Sequence, residues 1–154
     1  VLDLGASPGS WTLYAADKVG PRGRVLGLDL KECELVLPAH ASTLVADAFA
    51  MSVEDLNGPF DVVLSDMAPK TSGQRHADQF RSFELYIRAL ELASKVLRPG
   101  GSFVGKIFQG AEFDEARAKS REHFSKLRVI RPEATRDESY EVFLVGLGFV
   151  EAAV

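Results

Sequence analysis

Apolar and polar positions along the chain alternate between two periods. Residues 1–4, Val1-Leu2-Asp3-Leu4, form a short β-rich run, and a turn from Gly5 to Gly9 leads into a stretch over 10–18 that reads as a helix. A second strand fits 24–30, set off by the Gly-Pro-Arg-Gly turn of 20–23, and a third short strand fits 43–46. A weak helix fits 51–56, and Phe60 to Ser65 is a continuous run of the kind found in buried parallel strands. After a polar loop over 67–77, the spacing of Phe80, Phe83, Ile87, Leu90 and Leu97 predicts a long helix over 78–97, which Arg98-Pro99-Gly100-Gly101 stops. A strand at 102–108, a helix at 112–124, a strand at 126–130 and a last strand over about 140–149 complete the pattern.

Strands alternating with helices predict an open, mostly parallel seven-stranded α/β sheet with helices on both faces. The final pair departs from this. Only about nine residues separate Ile130 from Tyr140, too few for the dozen or so of a parallel crossover, so the last strand is expected to run antiparallel. Its beginning then returns to the carboxyl edge of the parallel strands, where such sheets bind ligands.

With 154 residues, 46% of them hydrophobic, the chain is expected to be one domain around one core. It opens inside an apolar run without an initiator methionine, so natural N-terminal residues are expected to precede it. No apolar run approaches the roughly 20 residues of a membrane span, and none reads as a signal peptide. The single cysteine, Cys33, allows no internal disulfide and has no clustered partners for a metal site, which fits a reducing, cytoplasmic setting. Net charge is −4, so the chain as a whole does not attract a polyanion. The charge is uneven, however. Between Arg117 and Arg136 seven basic residues face two acids, Glu122 and Glu133, and Lys70, Arg75, Arg81 and Arg88 form a second basic stretch. Both stretches read first as solvated helix and loop surface, with contact to phosphates as the rival reading of 117–136.

The candidate chemistry lies at the strand ends. In Asp3-Leu4-Gly5-Ala6-Ser7-Pro8-Gly9-Ser10-Trp11, glycines at the first strand-to-helix turn allow close approach of a ligand to the backbone. The middle glycine of a dinucleotide-binding turn is missing and Pro8 removes a donor, which argues against a nicotinamide cofactor. Asp29 ends the second strand, placed to hold ribose hydroxyls. Asp47 follows the third, with Phe49 nearby to cover an adenine whose amine the acid accepts from. Taken singly, each acid reads as well as a helix cap or solvated turn. Together, with few donors for phosphate, they fit a nucleoside cofactor whose reactive centre is cationic.

Asp66 ends the fourth strand, and Lys106 interrupts the apolar run at 102–108. A lysine there either reaches solvent along its stem or is buried against partners. Glu141 opens the last strand, which by the antiparallel pairing brings it to the same edge, so three ionisable groups converge. Such a set can help a weak hydroxyl nucleophile, by taking its proton or by stabilising the alkoxide.

These segments resemble the FtsJ/RrmJ (RlmE-type) family of ribose 2′-O RNA methyltransferases. The resemblance covers nearly the whole chain and rests on DLGASPGSW, SDMAPKTSG, RPGGSFVGKIFQG with the Glu112-Phe113-Asp114-Glu115 that follows, and Ser139-Tyr140-Glu141-Val142. It implies a Rossmann-like methyltransferase fold, S-adenosylmethionine as cofactor, and RNA as partner, with large-subunit ribosomal RNA or the assembled subunit foremost and a uridine of 23S RNA as target. It implies a Lys-Asp-Lys-Glu tetrad, of which Asp66, Lys106 and Glu141 match the last three members, and a first lysine on a helix before the first strand, outside this sequence. Gly9, Trp11, Asp29, Asp47 and Asp66 match the family's cofactor-contacting positions, and Gly5 and Phe49 join them from the turn and ring readings above. Ser10 replaces the usual second glycine, and Lys70 stands where asparagine is common. Transfer RNA as substrate, and a non-catalytic RNA-binding or nucleoside-binding domain, remain as alternatives.

Overall fold

The computed structural model describes residues 1–133 and 140–152. Ser139 of the family-like segment and Arg136 of the basic stretch lie outside the described residues. The elements follow as β1 (Leu2–Leu4), α1 (Ser10–Val19), β2 (Val25–Asp29), β3 (Ala41–Val45), β4 (Phe60–Ser65), α2 (Arg75–Val96), β5 (Leu97–Phe108), α3 (Phe113–Arg121), β6 (Phe124–Ile130) and β7 (Glu141–Phe149). All seven strands join one sheet in the order β3-β2-β1-β4-β5-β7-β6. Strands β1 to β5 pair in parallel, while β7 lies antiparallel to both β5 and β6. The antiparallel ending expected from the short connection is present, and Glu141 stands opposite Phe108 at the end of β5.

Alternation along the strands separates the two faces. Leu2, Leu4, Leu28, Val63, Phe103 and Ile107 pack with Tyr86, Ala89, Leu92 and Ala93 of α2 and Ala116 of α3 in the main core. Val25 and Ala41 pack instead with Ala15 and Ala16 of α1, with Val1 and Leu64 beside them. Helix α1 therefore covers one face, α2 and α3 the other.

Several boundaries differ from the sequence reading. The weak helix at 51–56 shrinks to one 3₁₀ turn, Glu54–Leu56, whose only buried residue is Leu56. Helix α2 begins at Arg75, three residues early, because Asp78 is buried in its first turn and accepts hydrogen bonds from Ser72 N (3.0 Å) and Ser72 Oγ (2.8 Å) rather than starting the helix. Strand β5 begins at Leu97, which pairs with Phe60. The register then shifts before Val62 meets Ser102, so the Pro-Gly-Gly segment is an irregularity within a strand rather than a break before one. Helix α3 ends at Arg121, and β6 starts at Phe124, whose ring stacks on Phe103.

Candidate active site

The carboxyl ends of β1, β2, β4 and β5 bring the candidate residues to one edge. At Gly5 the chain turns with φ +79°, and both Gly5 N and Ala6 N donate to the Leu28 carbonyl, at 2.8 and 3.0 Å. A Cβ at Gly5 would lie 2.9 Å from Met67 N, so only glycine fits between this turn and the chain leaving β4. Gly9, with φ +119°, caps α1 without a side-chain hydrogen bond, and Ser10 is the first helical residue.

Asp29 is held by its surroundings. Its Oδ2 accepts from Ser7 N and its Oδ1 from Lys31 N, both at 2.9 Å, so the carboxylate bridges the glycine turn and the segment after β2. That segment lies against the turn through Glu34 N to Pro8 O (3.0 Å) and Ser7 Oγ to Glu32 O (3.3 Å), a contact the sequence did not signal. Asp47 accepts from Phe49 N at 2.9 Å, a local turn that keeps the acid at the surface. The Phe49 ring is 54% exposed and borders an open groove of about 390 Å³ with Pro69, Lys70, Arg81, Glu84 and Leu85, on the side of α2.

At the other end of the edge, Lys106 Nζ lies 3.0 Å from Asp66 Oδ1. The lysine side chain is only 12% exposed, so of the two readings open in the sequence it takes the second: its ammonium meets a carboxylate rather than bulk water. Asp66 N donates to Leu4 O (3.0 Å), which seats the acid beside the glycine turn. Lys106 stands opposite Phe143 of β7, whose ring meets Trp11 of α1 at a centroid distance of 5.5 Å. The ring of Trp11 thus links the start of α1, next to the glycine turn, to the strand that carries Glu141. By alternation, Glu141 and Phe143 share one face of β7, and Lys106 faces the same way across the pair.

One residue was missed. Asp3 is fully buried in β1 under the Gly5 turn and accepts a 2.6 Å hydrogen bond from Thr12 Oγ1. Burial pushes its carboxyl up to about 6; the Thr12 hydrogen bond opposes this, and the charges of Asp66 and Asp29 add to it. Its Oδ1 is one of two buried side-chain polar atoms without a hydrogen-bond partner among the described residues. The signal was present as an acid inside an apolar run. Asp3, Asp29, Asp47 and Asp66 thus stand along one edge, with Lys106 paired to Asp66. Such a donor set fits a hydroxyl-bearing nucleoside with a positive centre and suits a pyrophosphate poorly. Another groove, about 710 Å³, lies elsewhere, on the outer side of α1 between Leu13, Tyr14, Pro38 and His40, and includes none of these acids.

A family model described as FtsJ-like methyltransferase matches residues 1–149. The chain belongs to the FtsJ-like methyltransferase family. Among curated relatives, the ribosomal RNA large subunit methyltransferase E of Sorangium cellulosum is 50% identical over 149 residues, covering 96% of this chain and 70% of the relative. That of Nitratidesulfovibrio vulgaris is 49% identical over 154 residues, covering 97% and 76%. Among solved structures, a Plasmodium falciparum chain designated a ribosomal RNA methyltransferase superimposes with TM-score 0.84 at 19% identity, over 97% of this chain and 86% of that one. Human methyltransferase-like protein 13 in complex with SAH gives TM-score 0.68 at 15% identity, over 99% and 73%. At these identities the structural likeness establishes the methyltransferase fold, to which the family adds methyl transfer as the type of reaction.

Proposed function

We propose that this chain transfers a methyl group from S-adenosylmethionine to a ribose 2′-hydroxyl of large-subunit ribosomal RNA, with a uridine as target. The observation that carries this reading is the Lys106–Asp66 pair, 3.0 Å apart with the lysine largely buried, at the sheet edge that also holds the glycine turn and Asp29. The naming of the relatives supports ribosomal RNA as substrate. No helix among the described residues is long and apolar enough to cross a membrane, and a cytoplasmic setting accords with an RNA substrate.

S-adenosylmethionine, when bound, supplies an electrophilic methyl group on a cationic sulfur. Asp29, fixed by two backbone amides, holds the ribose hydroxyls of that donor. Asp47 accepts from its adenine amine, with the Phe49 ring beside it, and Gly5 and Gly9 set the course of the turn on which the donor lies. Trp11 holds the start of α1 against β7. On the substrate side Lys106 meets the reacting hydroxyl. An ammonium kept in place by Asp66 stabilises the alkoxide that develops as the hydroxyl gives up its proton to solvent and its oxygen takes the methyl group. Glu141, on the adjacent strand, orients the lysine from the other side.

The test is methyl transfer by the intact protein from labelled donor to naked large-subunit RNA, to assembled large subunits and to transfer RNA, with the methylated nucleotide mapped. A 2′-O-methyl uridine in large-subunit RNA is expected. Methylation of a base, or of transfer RNA alone, overturns the assignment.

A further inference from the structure

A second group of side chains stands at the mouth of the same edge and has no part in the chemistry above. Tyr140 immediately precedes Glu141, and its carbonyl accepts from Gln109 N at 2.8 Å, which ties the start of β7 to the residue after β5. Its ring meets Phe108 edge-on at 5.0 Å, and Phe108 is buried, so the tyrosine rests on a fixed base. Over the Tyr140 ring, 5.0 Å from its centroid, lies the guanidinium of Arg75, the first residue of α2.

Arg75 is solvent-exposed, and among the described residues it pairs with no carboxylate. Another arginine near this mouth, Arg131, donates to the side-chain oxygen of Gln109, while the Gln109 backbone carbonyl accepts from Gln79 Nε2 at 2.7 Å. An arginine stacked on an aromatic ring loses little freedom and keeps its N–H groups available, which suits planar, bidentate recognition of a phosphate diester. In a chain of net charge −4, such a cation beside the reacting edge is a local exception.

We propose that Arg75, held over Tyr140, binds the backbone phosphate adjoining the reacting ribose, with Tyr140 as a positioning residue that acts through it. This rests on the reading of the chain as an RNA ribose methyltransferase. It gives the strand a register: a phosphate fixed by the start of α2 and the start of β7 leaves the neighbouring ribose facing the ends of β4 and β5, where Asp66 and Lys106 stand.

The experiment is RNA binding by the intact protein, followed by fluorescence anisotropy with a labelled single-stranded oligoribonucleotide over a series of salt concentrations. Arg75→Ala is expected to weaken binding about tenfold and to reduce the log–log salt slope by about 0.7, the loss of one phosphate contact. Arg75→Lys keeps the slope while binding more weakly. Tyr140→Phe is expected to match the wild type, whereas Tyr140→Leu weakens binding with the slope preserved, a split that a merely structural role would not give. Arg98→Ala, at the opposite end of β5 and paired with Asp61, serves as a charge control and leaves both readouts unchanged. Donor affinity measured by calorimetry stays the same in all of these variants. An Arg75→Ala protein with wild-type affinity and slope overturns the subsite. RNA that is bound through Arg75 yet methylated on a base overturns the ribose reading and leaves the phosphate contact standing; a wild type that binds no RNA overturns both.

Discussion

The two ends of the candidate site are built differently. At the proposed cofactor end the acids are fixed by backbone amides of loops: Asp29 by Lys31 N, two residues on, and by Ser7 N of the glycine turn, Asp47 by the amide two residues on. At the reacting end nothing local holds the set together. Lys106 meets Asp66 because β4 and β5 are in parallel register, and Glu141 reaches that edge only because β7 runs backwards beside β5. The first arrangement needs only the neighbouring pair β1 and β2 and the turns after β2 and β3, whereas the second requires the sheet as far as its antiparallel strand. The cofactor end should therefore govern affinity for the donor, and the reacting end the rate.

The largest effect tests the reacting end. Lys106→Ala is expected to lower kcat by on the order of 10³-fold, within the range for loss of one positioned proton-handling or charge-stabilising group. Donor affinity measured by calorimetry should stay within a few-fold of wild type. A variant that loses donor binding and turnover together would break the division between the two ends.

At the cofactor end, Asp29→Ala should do the reverse. Two hydrogen bonds from ribose hydroxyls to a charged acceptor are lost, and donor affinity is expected to fall roughly 50-fold, about 2 kcal/mol. Turnover at saturating donor should change far less. Circular dichroism is needed alongside, because Ser7 N and Lys31 N also lose their acceptor. Unchanged affinity in a folded variant would remove Asp29 from the donor's ribose.

Asp3 lies beneath both ends, and its effect is on stability. Its carboxyl is raised from 3.8 to about 6, chiefly by burial. Between those values the folded chain holds a proton that the unfolded chain releases, so this group's contribution to stability falls as pH rises through the window. Above it, the fold carries a buried anion at a cost on the order of 3 kcal/mol. Asp3→Asn keeps an acceptor for Thr12 and removes that cost. Its Tm is expected to exceed that of the wild type by several degrees near neutral pH and to converge with it as the pH falls to about 4. Equal Tm values at both pH values would mean that the buried carboxyl is relieved by contacts other than Thr12.

How far the sequence could be read follows the same division, with one reversal. The glycine turn, Asp29 and Asp47 are legible as motifs because loops carry their own geometry. Glu141 was legible for a different reason: a connection of about nine residues cannot cross over, so chain length alone sends β7 back to the edge. Asp3 escaped notice because an acid in an apolar run shows neither its depth nor its partner, and Thr12 lies nine residues on, in another element. The start of α2 was misplaced because the side chain of Asp78 serves Ser72, a contact that no apolar period records. Arg75 and Tyr140 are 65 positions apart in the sequence and meet only once α2 and β7 are both in place.

The smallest expected effect concerns Phe49, which the sequence reading assigned to the cofactor as the cover of an adenine. Its ring borders the groove with Pro69 and Lys70 on the α2 side, while its own amide is bound by the acid it was paired with. If the ring covers the adenine held by Asp47, Phe49→Ala removes one stacking contact, about 1 kcal/mol, and donor affinity falls roughly fivefold with kcat unchanged. If the ring instead belongs to a surface for RNA, the same variant leaves donor affinity intact and raises the KM for RNA by a similar factor. Calorimetry with the donor and steady-state kinetics with RNA separate the two outcomes. The second would move Phe49 to the substrate side and extend that side along α2, from Arg75 toward Arg81.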